Sequence, residues 1–251
     1  MPTPGARALS VGLFFAALCL LFGQARAQLF APMRFSHADS TVITSIRDQV
    51  KHGEAAEADA RARGWVHEVE RRYGRESLEV AAALALVIET TWATGQQTED
   101  EAMRVAERQR DIRRKVLGEA HADYAASIYT IGNLYLARGE YATADSLLSS
   151  SLALREQALG AEHPLVGGTH ARMAYIKRLQ GKFDEAVAHA QRAIEIAEKN
   201  SGPTSTEVAV ALTSLGNTYM MMGRFADARV QAERGHAIWT APYPPDSREV
   251  V

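Results

Sequence analysis

The sequence predicts an all-α fold, a solenoid of about five antiparallel helix pairs, and three observations support this prediction. Along most of the chain, glycines recur at a constant spacing, which is the spacing between Gly118 and Gly139. Between them, apolar residues follow the three- and four-residue spacing of one helix face. No stretch shows the apolar–polar alternation of a half-buried strand. Evenly punctuated helices are typical of repeat proteins, in which each unit buries its apolar face against its neighbours.

The glycines form two runs with the same spacing, which we call the glycine ladder. The first run is Gly53, Gly74 and Gly95. The second run is Gly118, Gly139, Gly160, Gly181, Gly202 and Gly223. One slightly longer step, from Gly95 to Gly118, joins the two runs. Because glycine adopts left-handed backbone conformations without a steric penalty, each of these residues is predicted to end a helix.

Alternate glycines of the ladder occur in two sequence contexts, so the true repeat is two steps of the ladder. Three of them are followed by an aromatic residue two positions later and an alanine five positions later: Gly139, Gly181 and Gly223. The glycines between them precede residues typical of helix starts, such as Pro164 and Ser205. One unit is therefore a first helix, a turn, a second helix and another turn.

Each half-unit predicts one helix of about 15–17 residues, with an apolar face at helical spacing. In the last complete unit that face is Leu212, Leu215, Tyr219, Ala228 and Ala232. By this register the units are residues 32–73, 74–117, 118–159, 160–201 and 202–243. The second unit has two extra residues within 96–101, and residues 244–251 are either a tail or the start of a truncated sixth repeat.

Small and large residues recur beside the predicted turns. Alanines are expected to let paired helices approach closely: Ala144, Ala186 and Ala228. Aromatic rings are expected to fill the space between consecutive pairs: Tyr141, Phe183 and Phe225. An isolated pair buries too little apolar surface to offset its ordering entropy, so the units are expected to depend on stacking.

Residues 1–27 have the order of a secretory signal peptide. Arg7 precedes an apolar run over residues 8–23, and Ala25-Arg26-Ala27 follows as a small-x-small cleavage site. A retained membrane anchor is the alternative, but the run is shorter than the roughly 20 residues that span a bilayer. We therefore expect cleavage after Ala27, and a mature chain in the periplasm or outside the cell.

The composition of the expected mature chain excludes several classes of binding partner. Removal of residues 1–27 leaves 26 Lys and Arg against 30 Asp and Glu, a net charge of −4. A mildly acidic chain without a basic block argues against nucleic acid, and against a membrane surface after cleavage. The only cysteine, Cys19, lies in the signal segment, so no disulfide or cysteine-based metal site is expected.

No catalytic, metal or cofactor motif stands out from the repeat. His67-Glu68 lacks the second histidine of a zinc-protease motif, and Gly167-Gly168 lacks the lysine of a phosphate loop. His121 and His163 share one repeat position at a helix start, where a capping or packing role is expected. The sequence therefore predicts no enzyme, no cofactor and no metal.

Three runs carry a resemblance to a known family: residues 128–135, residues 139–144 and residues 152–164. They resemble the 42-residue tetratricopeptide repeats of kinesin light chains and of many bacterial proteins. HEAT and armadillo repeats have similar lengths, but the turn pattern Gly-x-[Tyr/Phe]-x-x-Ala favours the tetratricopeptide family. The resemblance implies a right-handed superhelix whose first helices line a concave groove for an extended peptide or a partner helix.

The resemblance also implies which first-helix positions face that groove. The predicted groove residues are Arg47, Glu89, Trp92, Tyr129, Asn133, Leu136, Tyr175, Arg178, Thr213, Asn217, Met220 and Met221. Asparagine amides suit pairing with a peptide backbone, while aromatic rings and methionines add apolar contact area. The alternative is that these residues are ordinary exposed or packed helix positions.

The expected function is that of a non-catalytic scaffold that binds a protein or peptide in this groove. One alternative is an assembly subunit that associates with itself through its solenoid ends, near Trp239. Another is a regulatory fragment of a larger enzyme or sensor. The identity of the partner does not follow from the sequence, because one fold serves many functions.

Overall fold

The computed structural model describes residues 36–240, and every regular element in that range is an α-helix. The helices are α1 (His37–Lys51), α2 (Ala55–Tyr73), α3 (Leu78–Ala93), α4 (Asp100–Leu117), α5 (Ala122–Ala137), α6 (Tyr141–Leu159), α7 (Pro164–Leu179), α8 (Phe183–Ser201), α9 (Thr206–Met221) and α10 (Phe225–Thr240). None of these helices is long and apolar enough to cross a bilayer. The expected signal segment and residues 244–251 lie outside the described range.

From α1 to α8, shorter and longer helices alternate, while α9 and α10 have 16 residues each. The odd-numbered first helices have 15 or 16 residues, while α2, α6 and α8 reach 19 residues, longer than predicted. Successive helices pack side by side, as in α3 with α4 and α8 with α9, and first helices also touch the next first helix, as in α7 with α9. The connection between α3 and α4, residues 94–99, is longer than the others within pairs.

The described part of the chain divides into two compact units, with the boundary after Ser150. In the first unit, the fully buried apolar side chains include Ile46, Val69, Val80 and Leu148. In the second unit they include Val166, Ile176, Ile196, Val208 and Leu212. Both cores are built mainly from Val, Ile, Leu and Ala, the residues that pack closely between helices.

All nine glycines of the ladder have positive φ, and no other residue in the described range does. Within pairs, the turn is a Schellman motif. At Gly181, for example, the glycine amide donates to the carbonyl of Arg178 at 3.1 Å, and the amide of Lys182 donates to the carbonyl of Lys177 at 2.9 Å. The same arrangement recurs at Gly53, Gly95, Gly139 and Gly223. The predicted role of these glycines as left-handed helix ends is confirmed.

Between pairs, the glycine has a different conformation. Gly202 has φ 87° and ψ 161°, a combination that is essentially confined to glycine. Its amide donates to the carbonyl of Glu198 at 3.0 Å, and its own carbonyl accepts from the amide of Ser205 at 3.3 Å. The chain then leaves the second helix in an extended direction and enters the next first helix.

The starts of the first helices are capped by side chains. Ser77 and Ser205 accept hydrogen bonds from amides in the first turns of α3 and α9. Nδ1 of His121 and Nδ1 of His163 accept from the amides of Asp123 and Leu165, at 3.0 and 3.1 Å. The two histidines therefore cap helices as expected from their shared repeat position.

Buried arginines fasten a second helix to the first helix of the following pair. Nη1 of Arg113 in α4 donates to Oγ of Ser127 in α5 at 2.9 Å. Nη1 of Arg155 in α6 donates to Oγ1 of Thr169 in α7 at 2.7 Å. Both side chains are buried, and they occupy the same position of the repeat.

The predicted packing roles are confirmed for the alanines and wrong for two of the aromatic rings. Ala144, Ala186 and Ala228 are buried, with at most 3% of their surface exposed. Phe183 is half-buried, but Tyr141 and Phe225 are exposed. Ala232, predicted on an apolar face, is also exposed. Tyr141 and Phe225 are each the first residue of a second helix, beside the turn, so their rings cover only the edge of the packed surface.

Candidate functional site

In the second unit, six predicted groove residues lie on one continuous face, which we call the α7–α9 surface. It consists of Tyr175, Arg178, Thr213, Asn217, Met220 and Met221. The face exists because α7 and α9 are neighbouring first helices in contact with each other. On α9 the spacing of three and four residues brings Asn217, Met220 and Met221 to the same side.

Arg178 connects the two helices of this surface. Its Cζ lies 5.1 Å from the centroid of the Tyr175 ring, so the guanidinium stacks over the aromatic face. Nη1 contacts Sδ of Met221 at 3.5 Å. Its Nε is buried and has no hydrogen-bond partner within residues 36–240. The guanidinium is therefore held in place by two weak acceptors, the Tyr175 ring and the Met221 sulfur. It can still donate a hydrogen bond to a stronger acceptor.

The α9 side of the surface is open to solvent. Met220 and Met221 are each 53% exposed, and Asn217 is exposed as well. Thr213 is exposed, but its hydroxyl donates a hydrogen bond to the carbonyl of Ala209 at 2.9 Å. This donor is therefore already used by the helix backbone. An exposed apolar pair beside an amide and a guanidinium is the composition of a small recognition surface.

In the first unit, the predicted groove residues form a more self-contained arrangement. Arg47 of α1 makes a bidentate ion pair with Glu89 of α3, with N–O distances of 2.9 and 3.1 Å. Trp92 is half-buried and packs against the core of this unit. Tyr129 of α5 is half-buried. Because Arg47 and Glu89 neutralise each other in this ion pair, they offer less charge to a ligand.

Two predicted groove residues are not at the surface, and for them the prediction is wrong. Asn133 is 3% exposed, and its Nδ2 donates to the carbonyl of Tyr129 at 2.9 Å, one turn earlier in the same helix. Leu136 is 7% exposed and belongs to the buried apolar residues. Although Asn133 and Asn217 hold the same repeat position, only Asn217 offers its amide to solvent.

A pair of histidines inside the second unit did not enter the predicted site. Nδ1 of His170 in α7 and Nδ1 of His189 in α8 are 2.9 Å apart. Nε2 of His170 lies 3.8 Å from Oε1 of Glu156. His170 holds the repeat position of the apolar Ile128, and that mismatch is the sequence signal that would have found it.

Burial lowers the pKa of His170 to about 4, and the neighbouring charges of His189 and Arg192 act in the same direction, against Glu195. In the neutral form the Nδ1 of His170 can accept a hydrogen bond from an N–H group of the His189 ring. Within the described part of the chain, no group of three or more His, Cys, Asp or Glu residues is placed to hold a metal ion.

Comparison with known proteins adds family information to this geometry. Two sequence models described as tetratricopeptide repeat match the chain, over residues 125–165 and 165–241. No curated protein matches it.

Solved structures with similar folds cover most of the chain. The nearly identical TPR-like repeats of a kinesin light chain from Podosopora anserina match with a TM-score of 0.66 and 22% identity, over 82% of this chain and 97% of that one. BtubC (BKLC) from P. vanneervenii matches with a TM-score of 0.69 and 16% identity, over 97% of this chain and 96% of that one. MamA matches with a TM-score of 0.51 and 14% identity, over 77% and 94%.

These matches confirm the predicted all-α repeat solenoid. Repeats of this kind are scaffolds for protein–protein interaction, and the fold is typically non-catalytic. Residues 125–241 therefore match tetratricopeptide repeats, and the described helices have the fold of a tetratricopeptide-like repeat solenoid, similar to that of the kinesin light chain repeats.

Proposed function

We propose that the protein is a non-catalytic scaffold that binds a protein or peptide partner on its α7–α9 surface. The observation that carries this proposal is the exposure of Met220 and Met221, each 53% accessible, beside the stacked Tyr175 and Arg178. Exposed apolar pairs rimmed by hydrogen-bonding groups mark interaction sites more often than ordinary surface does.

Each group of the surface has a distinct part in this proposal. The methionines supply adaptable apolar contact, because their unbranched side chains fit partners of irregular shape. Asn217 offers both donors and an acceptor to an extended backbone. Arg178 is positioned by Tyr175 before a partner arrives, which reduces the ordering cost of binding.

The test is capture of partners from a periplasmic extract on residues 28–251, with wild type compared to the double variant Asn217→Ala/Met220→Glu. We expect the variant to lose the partner that wild type retains, because a charge replaces the centre of the apolar contact. The loss should be at least about tenfold in retained partner, as for a typical central contact residue.

The matched control is Gln191→Ala/Val116→Glu, which likewise changes an amide side chain to alanine and an apolar side chain to glutamate, at exposed positions of α8 and α4. This control should bind as wild type does. Equal retention by wild type and both double variants would remove the α7–α9 surface from consideration as the binding site.

We also propose that the scaffold works outside the cytoplasm, in the periplasm or beyond the cell. The order of charge, apolar run and small residues in residues 1–27 supports export. Amino-terminal sequencing of the protein recovered from cell fractions tests this. A mature terminus at Gln28 is expected, and a cytoplasmic chain that begins at Met1 would contradict it.

A second candidate function is self-association through the last described helix. In α10 the large apolar side chains Phe225, Val230 and Trp239 are 65%, 59% and 53% exposed. Only Ala228 and Gly235 are buried in that helix. Apolar surface left open on a helix of a repeat array favours association with a further helix.

Sedimentation velocity over a range of concentrations separates the two candidates. If α10 mediates assembly, wild type should form larger species that Phe225→Ser/Trp239→Ser abolishes, while Met220→Glu leaves them unchanged. A wild-type chain that stays monomeric at high concentration would exclude assembly.

A further inference from the structure

Met220 and Met221 differ from the other methionines of the described range in their access to solvent. Both are 53% exposed, whereas Met103 and Met173 are 8% and 2% exposed. Met222 is half-buried and packs against the core of the second unit. Because oxidation of a thioether requires contact with a dissolved oxidant, Met220 and Met221 are the methionines of the described range that an oxidant reaches most readily.

Met221 has a second feature that bears on oxidation. Its Sδ lies 3.5 Å from Nη1 of Arg178. A thioether sulfur is a weak acceptor, and Nε of the same guanidinium has no hydrogen-bond partner within the described residues. A sulfoxide oxygen at Met221 would be a strong acceptor beside the Arg178 guanidinium, which has no strong acceptor among the described residues of the reduced protein.

We propose that Met220 and Met221 form a peroxide-sensitive modification site, and that the sulfoxide of Met221 accepts a hydrogen bond from Arg178. In the reaction, the lone pair of Sδ attacks one oxygen of hydrogen peroxide and the O–O bond breaks. That oxygen stays on sulfur as the sulfoxide. The other leaves as hydroxide and takes the remaining peroxide proton to become water. Sulfur loses two electrons and the peroxide gains them.

The consequence for binding rests on the proposed function of the α7–α9 surface. Oxidation converts two flexible apolar side chains into polar ones, which weakens apolar contact with a partner. It also ties Arg178 to Met221, so the guanidinium is no longer available to the partner. Since Cys19 is the only cysteine and lies in the expected signal segment, no thiol in residues 28–251 competes for the oxidant.

The first test is peptide mapping by mass spectrometry after treatment with limiting hydrogen peroxide. Met220 and Met221 should reach half-oxidation at least about tenfold sooner than Met103 and Met173, which serve as internal controls. Equal rates at the four residues, or faster oxidation of the buried pair, would overturn the proposal. Met220→Leu/Met221→Leu should leave no fast-oxidising site in the peptide that contains α9.

The second test follows Arg178 directly by NMR of its side-chain N–H groups. After oxidation, these protons should exchange more slowly with water in wild type and stay unchanged in Met221→Leu, which cannot form the sulfoxide. Protons that respond equally in both proteins would refute the hydrogen bond. Methionine sulfoxide reductase should restore the original exchange rate, because the modification is reversible.

These two readouts need no partner, so they decide the oxidation site separately from the proposed function. Partner retention after oxidation then tests the consequence. Loss of retention in oxidised wild type, but not in oxidised Met220→Leu/Met221→Leu, is expected. If the reduced protein retains no partner on this surface, the proposed function fails while the oxidation site stands on its own measurements.

Discussion

At the scale of single residues, the glycines of the ladder are distinguished by backbone conformation rather than by space. Gly181 has φ +75°, yet no atom lies within 4 Å of the position that a Cβ would take. Gly64, inside α2, has the same open surroundings without positive φ. Because neither position is crowded, substitution at these two glycines isolates the energetic cost of the left-handed backbone conformation.

We predict that Gly181→Ala lowers the free energy of unfolding by roughly 1–2 kcal/mol, because an alanine in the left-handed region is strained. Gly64→Ala should raise it by up to about 1 kcal/mol, because alanine is the better helix residue. Urea unfolding followed by circular dichroism measures both. Changes of the same sign would contradict the conformational explanation.

His170 makes the second unit sensitive to acid. Its pKa in the folded chain is about 4, below the usual 6.5, because burial disfavours the charged ring. As the pH falls, the unfolded chain therefore takes up this proton before the folded chain does. The stability that the neutral ring provides is complete above pH 6.5 and is lost progressively between pH 6.5 and 4.

We predict that the free energy of unfolding declines more steeply over that pH window in wild type than in His170→Leu, which carries the residue of the equivalent position 212. Urea titrations at several pH values measure the two slopes. His163, whose pKa is also lowered by burial, is present in both proteins and cancels in the comparison. Identical slopes would show that His170 does not carry the effect.

The sequence predicted these residues unevenly, for a physical reason. The capping roles of His121 and His163 followed from their position, because a helix start needs an acceptor whatever surrounds it. The surface role of Asn133 did not follow, since burial depends on the neighbours that each repeat meets. The register of the repeat treats Asn133 and Asn217 as equal, although one is buried and the other is exposed.

At the scale of helices, close approach depends on which glycine lies at the contact. A Cβ added to Gly167 in α7 would lie 2.8 Å from Cγ2 of Ile196 in α8, too close unless the Ile196 side chain or one of the helices shifts. A Cβ added to Gly216 in α9 would find its nearest neighbour at 3.5 Å, an ordinary contact. Both glycines are helical, so only packing distinguishes them.

We predict that Gly167→Ala destabilises the protein by roughly 1–3 kcal/mol through overpacking. Gly216→Ala should stabilise it by up to about 1 kcal/mol through helix propensity. Thermal unfolding compares the two variants. Adding Ile196→Ala to Gly167→Ala should cost less than Ile196→Ala does in wild type, because the new methyl group then fills part of the space.

Helix number and turn position were predictable because glycine spacing and apolar periodicity are local properties of the sequence. The 19-residue length of the longer second helices was underestimated, since those helices continue up to the glycine itself. The exposure of Tyr141 and Phe225 was missed because an aromatic residue beside a turn has the same sequence signal whether it is covered or open.

At the scale of the whole molecule, protection against solvent is expected to vary along the second unit. The buried residues of α8 are Ala186, Ala190, Ala193, Ile194 and Ile196. In α10, only Ala228 and Gly235 are buried, and Ala232 is exposed where Ala190 is covered. Helices with few buried contacts open locally at low free-energy cost.

We predict that the amides of α10 exchange with deuterium faster than those of α8, by at least about tenfold, which corresponds to roughly 1.4 kcal/mol in local opening. Hydrogen exchange read by mass spectrometry at neutral pH measures this. The two helices are matched in their place within a pair. Equal protection would mean that α10 is covered in solution, as self-association would require.

Repetition made the fold class predictable at this scale, since a periodic sequence permits few arrangements other than stacked units. The proposed binding surface was predictable only in part. The resemblance supplied a set of positions, and the structure leaves Tyr175, Arg178, Asn217 and the two methionines together on one face of the second unit.

The alternation of the two turn geometries limits how this chain can gain or lose length. A Schellman turn always leads into a second helix, and a turn like that at Gly202 always leads into a first helix. Excising one helix with its turn would place two helices of the same kind in succession, with each buried face turned towards the wrong neighbour. Excising a whole pair with both of its turns rejoins equivalent positions. Natural relatives of different length are therefore expected to differ by whole pairs.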